Sequence, residues 1–175
     1  MQIHAAEAEQ TYLLETARAM AAAARTAPKT KGADFLETLI LTGDDLEKLA
    51  GAMDALFEEQ GAPFFKRDAG CVRRSGAVLV LGIGHHCRGF DKLCGYCGLD
   101  CGRCRAAGAA CVFDPVDLGI AAGSAVSVAA DRRVDTRIML SAGLGAKRLG
   151  LLPEGTDIVY AIPLSISGKS PYFDR

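Results

Sequence analysis

The chain has 175 residues, half of them apolar and 23% charged, with a formal net charge of -1. This is the composition of a globular domain large enough to bury its own core, and it excludes extended disorder. Near-zero net charge speaks against general nucleic-acid binding, and no apolar run approaches the roughly 20 residues of a membrane span.

The N-terminal "MQIHAAEAEQ" lacks both a basic and a hydrophobic signal region, so the chain reads as cytoplasmic. Residues 5–27 are rich in Ala, Leu, Glu and Arg, with Leu13, Ala17, Met20, Ala21 and Ala24 at helical spacing, and Pro28 should stop that helix. "DFLETLILT" (34–42) predicts a strand. "GDDLEKLAGAMDALFEEQG" predicts a helix with aspartates at its start and a glycine at its end. "AVLVLGIG" (77–84) is a continuous aliphatic run of the kind buried on both faces of a sheet. A cysteine-rich loop, 85–113, follows. Asp114 and Pro115 then read as N-cap and first helical residue of "DPVDLGIAAGSAVSVAADRR", a second helix is expected over 136–149, and "TDIVYAIPLS" is a last strand before a polar tail. The order αβαβ, cysteine loop, ααβ points to one α+β domain spanning 1–175.

Charge is uneven along the chain. Acidic residues outnumber basic ones up to Gln60. Over 61–112, Lys66, Arg67, Arg73, Arg74, Arg88, Lys92, Arg103 and Arg105 face only Asp68, Asp91 and Asp100.

Five of the seven cysteines lie in "KLCGYCGLDCGRCRAAGAACVF", spaced Cys94-x2-Cys97-x3-Cys101-x2-Cys104, with Cys111 beyond and Cys87 upstream. In a reducing cytosol such a cluster reads as metal-binding or redox-active, not as a disulfide framework, and the odd count agrees. Closely spaced thiolates with interleaved glycines suit an iron-sulfur cluster, most simply [4Fe-4S]. Its negative core would be compensated by the surrounding arginines and lysines. Zinc is the alternative, although paired CxxC zinc sites usually lie about 15 to 20 residues apart. Cys71 reads instead as a buried small apolar residue.

His85 and His86 offer a ligand or proton relay at the end of the 77–84 strand, or are incidental there. "LGIGHHC" and "GLGAKRLG" lack the spacing of phosphate-binding loops, and no Ser-His-Asp set is visible, so hydrolysis is not indicated. Arg25, Lys29 and Lys31, with Lys169 and Arg175 in the tail, either gather a phosphate or are solvated surface charges.

Taken together, "AARTAPKTKGAD", "FKRDAGCV", "CGYCGLDC", "CVFDPVDLGIAAGSA", "VDTRIMLSAGLGAKRLGLL" and "IPLSISGKSPYFDR" resemble a bacterial and archaeal family of ferredoxin-domain-containing proteins of unknown function. That resemblance implies the ligands Cys94, Cys97, Cys101 and Cys111, with Cys104 as the alternative. The stretches "APKTKG", "DLGIAAGSAVSVAA" and "GLLPEGTDIVYAIPLS" also resemble flavin nitroreductases, without the Arg-x-Ser-x-Arg stretch that precedes the first helix there. This second likeness implies a nitroreductase-like sandwich carrying the cysteine loop as an insertion, a homodimer, and FMN with its phosphate near Arg25, Lys29, Lys169 and Arg175. The expected role is electron transfer or redox sensing with a redox protein partner docked on the basic face. The alternatives are a flavin-dependent oxidoreductase and a structural zinc module.

Overall fold

The computed structural model describes residues 2–173. Its centre is β2 (Ala77–Gly84), whose eight residues are all buried. Alternate side chains of a strand leave on opposite faces, so Leu79, Leu81 and Ile83 meet one helical layer while Val78 and Val80 meet another. The aliphatic run expected to be covered on both sides therefore is. β2 pairs antiparallel with β1 (Leu36–Leu41) and with β4 (Thr156–Ser165), and a two-residue β3 (Asp135–Thr136) completes an open sheet of order β1-β2-β4-β3.

Pro163 sits inside β4 without breaking the β2 ladder. Ala161, two residues earlier, directs its N–H to Met139 O at 3.1 Å, away from β2. Pro163 faces the same way, where its missing N–H costs β2 nothing.

One face of the sheet carries α1 (Ala5–Thr26) and α5 (Phe113–Asp131). The α1 stripe Leu13, Ala17, Met20 and Ala24 is buried at the predicted spacing. The helix ends where Pro28 forces Ala27 into an extended conformation. By length and composition α5 is apolar enough to cross a membrane. Here its inner residues Leu118, Ala121, Ala122, Ala125 and Ala129 join the same core as α1. The other face carries α2 (Asp44–Gln60), α3 (Pro63–Arg73) and α6 (Leu140–Arg148).

The structure corrects the sequence reading at three places. Helix α3 was not expected, yet Pro63 at its first turn and Phe65, Ala69 and Val72 at helical spacing bury it against the α2 side. Helix α6 starts at Leu140 and not at 136, because 135–136 form β3 and Met139 bridges to Ala161. Asp114 is no N-cap: α5 starts at Phe113, and the Asp114 carboxylate is fully buried elsewhere.

The tail beyond β4 is not merely polar. Tyr172 is buried, its hydroxyl 2.8 Å from Ser75 Oγ, and Arg137 Nη1 donates to Tyr172 O at 2.9 Å. Burial pushes the Tyr172 hydroxyl well above its ordinary value of 10.0, with Ser75 opposing. The unfolded chain ionises near pH 10 while the folded hydroxyl stays neutral, so this contribution is intact below that pH and is lost as pH rises above it. Unfolding free energy should decline above about pH 10 in the wild type and decline less in Tyr172→Phe, as urea titrations at several pH values would report.

Candidate functional site

β2 ends at Gly84, where the chain passes so close to the loop before β4 that an added Cβ would lie 2.4 Å from Gly155 O. The cysteine segment leaves from there and returns into α5, and one carboxylate holds both of its ends. Asp114 Oδ2 accepts from His86 N at 3.0 Å and from Cys111 N at 3.1 Å, and Oδ1 accepts from Arg88 Nη1 at 2.9 Å. Arg88 also donates to His86 O, and its Nη2 reaches Asp117 Oδ2 at 2.8 Å. The Arg88 side chain is 1% exposed, so this is an ion triad taken fully out of water.

Asp117 extends the network to the loop after α1. Its Oδ1 accepts from Thr30 N at 3.0 Å and Thr30 Oγ1 at 2.8 Å, while Lys31 Nζ donates to Arg88 O at 3.1 Å. Sequence reasoning missed this clasp. Its signal was available: Asp114 and Asp117 are the only charges in residues 113–130, three apart on the inward face of an apolar helix.

Within the segment, Gly95 and Gly98 take positive φ values of 58° and 77°, turning the chain twice around Cys97. Leu93 and Tyr96 stand outward, 84% and 75% exposed. The short helix α4 (Cys101–Ala106) is capped by Asp100, whose side chain accepts from Arg103 N at 2.8 Å. α4 buries both Cys101 and Cys104.

The Cys104 thiol lies against those of Cys87 and Cys97 and donates to Ala109 O at 3.3 Å. Cys101 Sγ instead accepts from Asp91 N at 3.2 Å, and Cys97 Sγ donates to Leu99 O at 3.5 Å. Cys111 is buried where the segment meets α5, and Cys94 is half-buried at the end of the turn before the one that holds Cys97. Of the set implied by resemblance, Cys97 thus meets the alternative ligand Cys104. Among the described residues no three His, Cys, Asp or Glu side chains are closed to metal-binding geometry.

Burial, together with the neighbouring Cys87 and Cys97 thiols, pushes the Cys104 thiol up to about 12. Burial also pushes Cys71 up, beside Pro171 O, which accepts its thiol at 3.2 Å. Thiolates are the reacting species. Timed iodoacetamide labelling of the metal-free chain near pH 8, read by peptide mass spectrometry, should therefore find Cys104 and Cys71 the slowest of the seven by about tenfold or more.

The other sequence-derived candidates scatter. His85 is exposed, its Nδ1 3.2 Å from Gly108 O, whereas the His86 ring stacks on Phe35 at 3.9 Å. Both line a cleft of about 490 Å³ with Asp34, Glu37, Glu154 and Asp157. Arg25 Nη1 meets Asp34 at 2.8 Å. Lys29 Nζ turns to Ala24 O and Arg25 O, with Asp34 at 3.9 Å. Lys169 O accepts from Ser167 Oγ in the tail, and Arg175 lies outside the described residues.

Much of the basic excess of 61–112 is matched by acids from elsewhere in the chain. Arg73 binds Glu47 and Asp54, Arg67 binds Asp68, Arg103 binds Asp100 and Arg88 sits in its triad. Lys92 and Arg105 stay exposed beside the cysteines.

Residues 107–175 match the model of a family described as "Uncharacterized protein containing a ferredoxin domain (DUF2148)". The match takes in Cys111, α5 and the tail, and starts just beyond Cys104. An "Uncharacterized protein" of Archaeoglobus fulgidus is 43% identical over 164 residues, covering 89% of this chain and 88% of the relative. The chain belongs to this ferredoxin-domain family.

In fold, this family member is similar to nitroreductases. A nitroreductase family protein from Clostridium novyi superposes with a TM-score of 0.59 at 17% identity, covering 95% of this chain and 76% of that one. Nitroreductase A from Vibrio parahaemolyticus gives 0.58 at 15% identity, covering 90% of this chain, which spans 59% of that enzyme's length. A nitroreductase with bound FMN from Desulfitobacterium hafniense gives 0.53 at 16% identity, covering 89% and 78%. At these identities the likeness establishes the fold: the ferredoxin-domain member is a nitroreductase-like α+β sandwich whose cysteine segment leaves from the end of β2.

Proposed function

We propose that the chain binds an iron-sulfur cluster, [4Fe-4S] in type, within residues 85–113 and uses it for electron transfer or redox sensing. The observation that carries this reading is the meeting of Cys87, Cys97 and Cys104 inside a glycine-turned segment whose ends Asp114 holds together. Soft thiolates are the donors such a cluster takes, and turn glycines let backbone amides approach its sulfurs. The ferredoxin-domain family supports the same chemistry. The exposed Lys92 and Arg105 offer charge to an acidic redox partner. Free thiols fit a reducing cytoplasm. The outer face of α5, with exposed Val116, Gly119, Ile120 and Gly123, fits a homodimer contact.

The test is anaerobic purification followed by iron, acid-labile sulfide and zinc analysis. The reading expects about four iron and four sulfide per chain. Zinc without iron or sulfide overturns it in favour of a structural zinc site.

A second reading, favoured by the nitroreductase-like fold, adds FMN and makes the chain a flavin-dependent oxidoreductase. Arg25 and Lys29 are already turned onto Asp34 and the end of α1, so this reading leans on the fold alone. An acid-extractable chromophore absorbing near 450 nm, roughly the flavin band, would support it, and its absence from freshly purified protein would remove it.

A further inference from the structure

We infer that Leu93 and Tyr96, with the cations beside them, form a docking surface on the cysteine segment, and that it seats a small electron-carrier protein whose contact face is apolar with an acidic rim. The inference rests on the iron-sulfur reading above for the kind of partner and names the side chains that receive it.

Leu93 and Tyr96 are 84% and 75% exposed, more than any other large apolar side chain among the described residues. A single exposed apolar residue needs no explanation, but these two stand in successive turns. Both turns are built. Leu93 N donates to Phe90 O at 2.9 Å and Gly98 N to Gly95 O at 2.9 Å. Asp91, Gly95 and Gly98 take positive φ values, Asp91 as a non-glycine residue at 47°. The Tyr96 ring lies 6.2 Å from that of Phe113, Phe113 lies 5.6 Å from Phe90, and Lys31 Nζ sits 5.0 Å from the Phe90 centroid. The tip is therefore held in one arrangement by the protein's own contacts, which lowers the ordering cost of a partner that covers it. A cleft of about 330 Å³, lined by residues of both turns and of α4, lies alongside. Gly95 and Gly98 form part of its wall and leave room for a partner's backbone.

Charge selects the partner. Lys31, Lys92, Arg103 and Arg105 are exposed here. The acids beside them are Asp91 and Asp100, and Asp100 is occupied by Arg103 N and Arg103 Nε, each at 2.8 Å. This is a basic locality on a chain whose formal net charge is -1, so an acidic protein is drawn to this place in preference to the rest of the surface. Leu93 and Tyr96 immediately precede Cys94 and Cys97. A carrier seated on them stands beside thiols of the segment that the iron-sulfur reading loads.

The experiment titrates the full chain, purified anaerobically, with flavodoxin, a small acidic electron carrier, by calorimetry at a low and a higher salt concentration. Wild type should bind, and more weakly at the higher salt. Leu93→Ser and Tyr96→Ser should each weaken binding by about tenfold or more. Lys92→Glu should weaken it and flatten the salt dependence, while Phe173→Ser, which removes an exposed aromatic of the tail, should bind as wild type. All four side chains lie at the surface, and matching urea midpoints serve as the folding control. No binding by wild type, or wild-type affinity in Leu93→Ser and Tyr96→Ser, overturns the docking surface. So does self-association of wild type that either substitution abolishes, because a second copy then covers the tip. Iron and sulfide analysis of the same preparations separates the two readings. Binding with neither iron nor sulfide overturns the cluster and keeps the docking surface, and iron and sulfide without binding does the reverse.

Discussion

Replacing Arg88 with methionine is expected to cost about 3–5 kcal/mol of unfolding free energy, the range for removing one partner of a buried ion pair. The side chain is 1% exposed between Asp114 and Asp117, at 0% and 1%. Methionine fills similar volume without charge, so two carboxylates stay buried against backbone and hydroxyl donors alone. The triad itself is no bargain: Arg88 Nε is buried with no partner among the described residues, an added desolvation cost. What it provides is location, because its contacts tie the loop after α1, the end of β2 and the start of α5 to one point. Urea unfolding should show a lower midpoint, and limited proteolysis should cut first within 85–113. A stability change under about 1 kcal/mol would show that the triad is not sealed from water.

Gly143→Ala should be as damaging, for a steric reason. An added Cβ would lie 2.1 Å from Val159 O, 2.6 Å from Val159 C and 2.9 Å from Tyr160 Cα, all backbone atoms of β4. No rotamer can relieve that, so α6 must move off the sheet at a cost of about 3 kcal/mol or more. Gly145→Ala meets the flexible Met53 Cγ at 2.9 Å and should cost less. Gly51, on an open face of α2 with nothing within 4 Å, should gain about 0.5–1 kcal/mol as alanine. The order of melting temperatures, Gly51→Ala above wild type above Gly145→Ala above Gly143→Ala, checks the packing of α6 on β4.

Legibility in the sequence followed the range of the interactions. The α1 stripe, the β2 run and β4 were readable because helical and strand periodicity are local, and β4 lies over the predicted ten residues. Helix α3 was not, since its eleven residues include Gly70, Val72 and two phenylalanines, all weak helix formers, and it is held by packing. Asp114 was misread because Asp-Pro is a good local cap signal, and the donors that claim its carboxylate lie as far back as His86.

The sequence by itself determined that this is a layered α+β domain with a metal-competent run of thiols, because residue type, periodicity and close spacing act over a few positions. The tertiary structure decided which thiols meet, which cations remain available and what closes the cysteine segment. Cys87 reaches Cys104 only because β2 ends beside α4, and Arg73 is neutralised only because α2 packs beside α3. Those pairings join residues 17 to 26 positions apart in the chain, where local preference has no influence and the packing of whole elements sets the distance.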